Sequence, residues 1–181
     1  MEQNKKNTAK IVAMKMAERM NQPAKEDSKR KGVLVIIDGK PPVADNTTLM
    51  LYTVKLRAVD ERKPTAYFSL DRSNVEVVNQ LIAITTGIDI EKISAGQLSD
   101  DEWVLMDEKL PALMDAPLYV DDTQCVTIES LKDKLTMLTE KGVTLAVIDN
   151  ASQMTANAET LTGDIKAIAE QLGITIIAIM D

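Results

Sequence analysis

From Gly32 onward the sequence alternates short apolar runs with longer amphipathic stretches, and this alternation limits the fold more than any other feature. Residues 33–38, 65–70, 117–121, 145–149 and 174–180 read as buried strands, too short and too evenly apolar for surface helices. Between them, residues 47–59, 74–86, 99–114, 127–141 and 159–172 carry helical periodicity. Ser99 with Glu102 forms a capping box ahead of its helix, and Gly142 and Gly173 each stop a helix just before a strand. Strand and helix repeated in this way predict right-handed crossovers and a mainly parallel five-stranded sheet, covered on both faces.

The apolar supply agrees. Hydrophobic residues make up 45% of the 181-residue chain but aromatics only 3%, so Ile, Val, Leu, Met and Ala must fill the core. So few aromatics leave little room for a base-stacking platform of the kind that holds single-stranded nucleic acid. There is no histidine and one cysteine, Cys125. That excludes an intrachain disulfide, a His/Cys zinc site and a histidine-based nucleophilic unit. Cys125 follows a strand and reads as a plain loop thiol. Trp103, on an amphipathic stretch with Leu105, Met106 and Leu110, is expected to pack in the core. No apolar run approaches membrane-spanning length, and the Lys-rich start has no signal-peptide core, so a cytoplasmic location is expected.

Charge divides the chain in two. Residues 1–31 carry nine basic and four acidic groups, whereas the remainder carries twelve and 24. The expected division is a basic N-terminal helix and linker over 1–31 and an α/β domain over 32–181. Thr8 can cap a helix through Met20, with Ile11, Met14, Ala17 and Met20 on one face. The basic groups Lys5, Lys6, Lys10, Lys15, Arg19, Lys25, Lys29, Arg30 and Lys31 could meet nucleic acid, or the acidic body of this chain or a neighbour. The apolar face favours the second.

Ligands of open α/β sheets bind at the carboxyl ends of the strands. Here those ends are acidic: Asp38, Asp71, Asp121, Asp122, Asp149 and Asp181. Such a row could attract a divalent cation, although Asp also ends strands and starts turns as ordinary chain punctuation. The loop after the first strand has the placement of a phosphate-binding G-x-x-x-x-G-K-[ST] loop. Counted from Gly39 it reads Gly39-Lys40-Pro41-Pro42-Val43-Ala44-Asp45-Asn46. The second glycine is replaced by Ala44, the lysine by Asp45 and the hydroxyl residue by Asn46. Moving the frame brings Thr47 or Thr48 into the last place but supplies no lysine. Each unit-charge pair at about 4 Å is worth about 4 kcal/mol at an effective dielectric near 20, so lysine to aspartate is a severe loss for a polyphosphate. Pro41 and Pro42 remove two amide donors as well.

The order of motifs resembles the RecA-like C-terminal ATPase domain of DnaB-type replicative helicases. The segment 63–73, with Phe68-Ser69-Leu70-Asp71-Arg72-Ser73, is similar to the family's strand ending in F-S-L-E-M-S. Ile93 to Trp103 is similar to its I-x-x-G-x-L-x-x-x-E/D-W stretch. Ala116-Pro117-Leu118-Tyr119-Val120-Asp121-Asp122-Thr123 is similar to its A-P-L-Y-I-D-D-T, the run 145–149 to its Walker B strand, and 165–172 to its S-L-K helix. The resemblance implies a RecA-like, P-loop-NTPase-type three-layer sandwich. It implies a sheet running from 117–121 at one edge through 65–70, 145–149 and 174–180 to 33–38. It also implies ATP hydrolysis between subunits of a hexamer on single-stranded DNA. Residue by residue, little of that chemistry carries over. The catalytic glutamate corresponds to Asp71, the Walker A Gly-Lys-Thr to Ala44, Asp45 and Asn46, the glutamine after Walker B to Ser152, and a helix arginine to about Gly163. The chain stops at Asp181, where the family continues into further strands and an arginine finger. Asp149 alone matches as the Walker B acid.

The expectation is a degenerate relative with no bound cofactor, neither ATP nor Mg²⁺. It would act as a binding or accessory module, with a replicative helicase or copies of itself as partner and a link to DNA replication. Two alternatives stand beside it: a metal-dependent or weakly active nucleotide- or DNA-processing enzyme built on Asp71 and Asp149, and a nucleic-acid accessory protein using the basic arm.

Overall fold

The computed structural model describes residues 31–39 and 45–180 together with Ile11, Met14 and Lys15. In chain order the elements are β1 (Val33–Asp38), α1 (Asn46–Val54), a π-helical turn (Lys55–Asp60), β2 (Thr65–Ser69), α2 (Asn74–Thr86), α3 (Ile90–Ala95), α4 (Asp100–Met114), β3 (Leu118–Asp121), α5 (Ile128–Glu140), β4 (Leu145–Asp149), a 3-10 turn (Ala151–Gln153), α6 (Leu161–Leu172) and β5 (Thr175–Met180).

All four strand pairings are parallel, in the order β1-β5-β4-β2-β3. This is the order that the helicase resemblance implies. Alternation along the strands divides the core into two layers. Ala66 and Phe68 of β2, Ala146 and Ile148 of β4, and Ile176 and Ala178 of β5 face Leu131 and Leu135 of α5 and Ile165 and Ile168 of α6. On the opposite face, Tyr67, Leu145, Val147, Ile177 and Ile179 meet Leu49, Met50 and Val54 of α1 and Val77 and Leu81 of α2. The result is a three-layer sandwich.

Polar caps start the helices where the sequence places them. Ser99 and Glu102 form the expected box at α4, and equivalent boxes of Ser73 with Glu76 and Thr127 with Ser130 start α2 and α5. Each such cap is worth about 1 kcal/mol. Gly87 ends α2 at φ 82, a conformation that costs a side-chain-bearing residue more.

Three expectations need correction. The helix read over 47–59 is α-helical only to Val54 and then widens into the π turn. There the Lys55 ammonium bonds the Asp60 carboxylate at 2.8 Å, and Glu61 N–H donates to Leu56 C=O at 3.0 Å. The stretch before Ser99 holds a further short helix, α3, capped by Asp89. Trp103 is 49% exposed: α4 turns Met106 inward, with Leu105 and Leu110 partly buried against Ile82 and Ile88, which leaves the indole at the surface. Cys125 lies in a loop as an exposed free thiol, as read. No helix among the described residues is long and apolar enough to cross a membrane.

Candidate functional site

Strand parity decides what faces α1. Along β4, Leu145, Val147 and Asp149 point to one side of the sheet, and along β2, Thr65, Tyr67 and Ser69 do the same. Tyr67 pairs with Val147 and Ser69 with Asp149. Tyr67 is therefore a diagonal same-face neighbour of Asp149, within reach of a long side chain.

Asp149 ends the central strand at 1% exposure. The Tyr67 hydroxyl donates to its Oδ2 at 2.5 Å, and the Thr47 hydroxyl donates to the same carboxylate. Leu70 N–H donates to the Asp149 backbone carbonyl at 2.6 Å, which joins the ends of β2 and β4. The Asp149–Asn150 peptide is cis. Burial pushes the Asp149 carboxyl above its usual range. The two hydroxyls and the Arg72 charge pull it back only in part, and the Asp71 charge adds to the rise. Burial also pushes the Tyr67 phenol above its ordinary value, helped by the neighbouring Asp149 charge.

Asp45 is the N-cap of α1. Its Oδ1 accepts the Thr48 N–H and its Oδ2 the Thr48 hydroxyl, each at 2.8 Å. Asn46 is 4% exposed and its Nδ2 donates to the Gly39 carbonyl at 2.9 Å, closing the loop between β1 and α1. The Thr48 hydroxyl also accepts from Gln80 Nε2 at 3.1 Å, and Gln80 Oε1 accepts from Arg72 at 3.4 Å.

This geometry corrects the frame of the loop. Counting from Gly39 puts Asn46 in the hydroxyl position, but Thr47 is the residue beside Asp149. Asn46 then falls where the motif has lysine, and Asp45 where it has its second glycine. Lys40, Pro41, Pro42, Val43 and Ala44 lie outside the described residues. So do Asp181 and the arm residues Lys5, Lys6, Lys10, Arg19, Lys25, Lys29 and Arg30. Lys15 is helical and exposed, as are Ile11 and Met14, and Lys31 is exposed just before β1.

The acidic strand ends separate into roles. Asp121 bonds Lys134 at 2.6 Å and accepts from Thr123 N–H; burial opposes its ionisation, but these donors win and hold the carboxyl below its usual range. Asp122 accepts from the N–H and Nδ2 of Asn74, tying β3 to the start of α2. Asp38 and Asp71 are exposed. Of the two acids expected to share a cation, Asp71 reaches Asp149 through its field. Among the described residues, no cluster of three or more Asp, Glu, Cys or His side chains is placed to hold a metal ion. Ser152 lies in the 3-10 turn after β4 with its N–H on Asn150 Oδ1, and Gly163 is in the first turn of α6.

Sequence reading missed Tyr67, Thr47 as a partner of Asp149, and the Gln80–Arg72 extension. The available signal was a lone tyrosine in the middle of a buried parallel strand, because a buried phenol needs a hydrogen-bond partner.

A parallel sheet in this order, covered on both faces, with an acid ending its central strand beside the first residues of a helix, is a RecA-like α/β fold. The fold agrees with that of a solved ATPase domain (TM-score 0.75, 19% identity, 85% of this chain and 58% of that one). It also agrees with a DnaB-like replicative helicase whose structure was described with its interactions with primase (TM-score 0.70, 17% identity, 83% and 39%). The family model of the DnaB-like helicase C terminal domain matches residues 25–181, and the chain belongs to that family. It is similar to the replicative DNA helicase DnaB of Helicobacter pylori, strain ATCC 700392 / 26695 (29% identical over 161 residues, 83% of this chain and 33% of that protein). Similarity extends to the DnaB of Nostoc sp., strain PCC 7120 / SAG 25.82 / UTEX 2576 (27% over 156 residues, 81% and 18%) and of Mycobacterium leprae, strain TN (26% over 144 residues, 74% and 24%). The chain spans no more than a third of the length of these relatives.

Proposed function

We propose that this chain is a non-hydrolysing member of the DnaB-like C-terminal family that works by binding rather than by turning over ATP. The observation that carries this reading is the Asp45 cap. A helix N-terminus holds phosphate through free N–H groups and a positive end, and here a carboxylate of the chain itself accepts the Thr48 N–H. An incoming triphosphate would meet that negative charge at the helix start, with the neutral Asn46 where the motif has its lysine. The ATP–Mg²⁺ pair that the family implies also fits poorly around Asp149, whose carboxylate is taken by Tyr67 and Thr47. Isothermal titration of the full chain with ATP and Mg²⁺ is expected to give no binding heat up to about 1 mM, a binding free energy of about −4 kcal/mol. Micromolar binding with phosphate release would sink the reading.

The binding role falls to the fold and to the basic arm 1–31, which we propose as a separate docking element. Its surplus of five positive charges opposes a body with a surplus of twelve negative ones, which suits contact with a second copy or with the motor domain of a genuine replicative helicase. Mixed with such a helicase at low salt, the full chain is expected to co-migrate in size-exclusion chromatography, and a chain lacking residues 1–31 to migrate alone. Equal behaviour of the two chains would remove the arm from the proposal.

A further inference from the structure

We infer that the outer edge of β1 is an interface for a second copy of this chain, the two β1 strands pairing antiparallel across a two-fold axis so that one sheet runs through the dimer. The inference needs neither the docking arm nor any property of the nucleotide site.

Among the described residues, β1 pairs with β5 on one side and with nothing on the other. Val33 N–H donates inward to the Ile174 carbonyl at 3.0 Å. Alternation then turns the N–H and C=O groups of Leu34 and Ile36 outward, ready for another strand. The two edges of the sheet differ. β3 is four residues long, follows Pro117, and ends at Asp121, which bonds Lys134 at 2.6 Å. Proline and charge of this kind are what keep an edge from pairing. β1 is six residues long and uncharged from Val33 to Ile37, with Val33 49% and Ile36 42% exposed. Nothing along it blocks a partner.

Charge selects the occupant and its direction. The basic run Lys29-Arg30-Lys31 precedes β1, and Asp38 ends it. Lys31 and Asp38 are both exposed. A parallel copy would set acid beside acid and base beside base, whereas an antiparallel copy sets each acidic end against a basic one. Such pairing is self-complementary, as a two-fold interface must be. Outward groups at Leu34 and Ile36 allow a register with Val35 opposite Val35, Leu34 opposite Ile36 and Val33 opposite Ile37. This register covers both exposed apolar residues and brings each Asp38 to Gly32 of the second copy. A shift of two residues would leave Val33 opposite Gly39, uncovered.

The test is the mass of the full chain by light scattering at about 100 μM, a concentration that populates a dimer of micromolar Kd, in about 1 M NaCl. There the Debye length is about 3 Å, so contacts made only by the basic arm are screened. The wild type is expected to be a dimer. Ile36→Lys, which puts a charge on the edge at an already exposed position, is expected to give a monomer with an unchanged circular-dichroism spectrum. Val104→Lys, at an exposed position on α4, is expected to stay dimeric. In a Cys125→Ser background, Val35→Cys is expected to form a disulfide-linked dimer on mild oxidation, because directly opposed residues of this kind lie about 4.5 Å apart at Cα, within disulfide reach. A monomeric wild type, a dimer indifferent to Ile36→Lys, or no cross-link through Val35→Cys would each overturn the pairing. Each of these results leaves the non-hydrolysing reading untouched, since that stands or falls on the titration with ATP.

Discussion

Gly32→Ala is expected to remove at least about 3 kcal/mol of stability and to lower the melting temperature by about 6–12 °C, read by a circular-dichroism melt. A Cβ at this position would lie 1.6 Å from the Ala169 carbonyl oxygen and 2.1 Å from its carbon. Both atoms belong to the backbone of α6, so no side chain can swing aside. Gly32 immediately precedes β1, whose Val33 N–H donates to the Ile174 carbonyl at 3.0 Å. Making room would drive α6 off the sheet or pull β1 from β5. α6 contributes Ile165, Ile168 and Ala169 to one core layer, so either movement opens that layer. A melting point within about 2 °C of the wild type would mean that α6 can slide without cost, against the close packing of protein interiors.

Asp149→Ala is expected to destabilise the chain by about 2–4 kcal/mol at neutral pH, and Asp149→Asn by much less. Alanine leaves the Tyr67 and Thr47 hydroxyls buried without their shared acceptor, and each orphaned group costs about 1–3 kcal/mol. The amide of the second variant keeps an acceptor oxygen for Tyr67 and removes a buried charge. The pH dependence follows from the raised carboxyl. Its folded value lies above the unfolded value of about 3.9, so the folded state binds the proton more tightly. The stability this contributes is complete below the unfolded value and is lost as pH rises through the folded one. Asp149→Asn, lacking that titration, should therefore gain on the wild type as pH rises from about 4 towards neutrality, read as the difference in urea midpoints. An acid kept only for metal chemistry behaves differently: replacing it with alanine would leave stability unchanged or improved.

Much of the fold was legible because its signals are local. Apolar runs such as 145–149 announce buried strands, and Ser99 with Glu102 announces a helix start. The family motifs carry the strand order with them. The π turn at 55–60 was not legible, because its residues keep helical composition and only the Lys55–Asp60 contact and the hydrogen bonding after Val54 show the change. Trp103 was misread for a related reason. Helical spacing places it beside Met106 in sequence, but which residue faces inward depends on where α2 and α3 press against α4.

The site divides in the same way. Asp149 as the acid ending a buried strand could be read directly. The frame of the loop could not, since a single extra residue shifts every later position and only contact with Asp149 shows that Thr47 is the residue that arrives. Sequence by itself determined the alternating architecture and the family likeness, because side-chain chemistry and local periodicity are properties of neighbours along the chain. Only the tertiary structure decided that Tyr67, Thr47 and Asp149 meet. Those residues are far apart in sequence, and it is the parallel register of β2 on β4 and the closing of α1 over both that bring a phenol, a hydroxyl and a carboxylate together away from water.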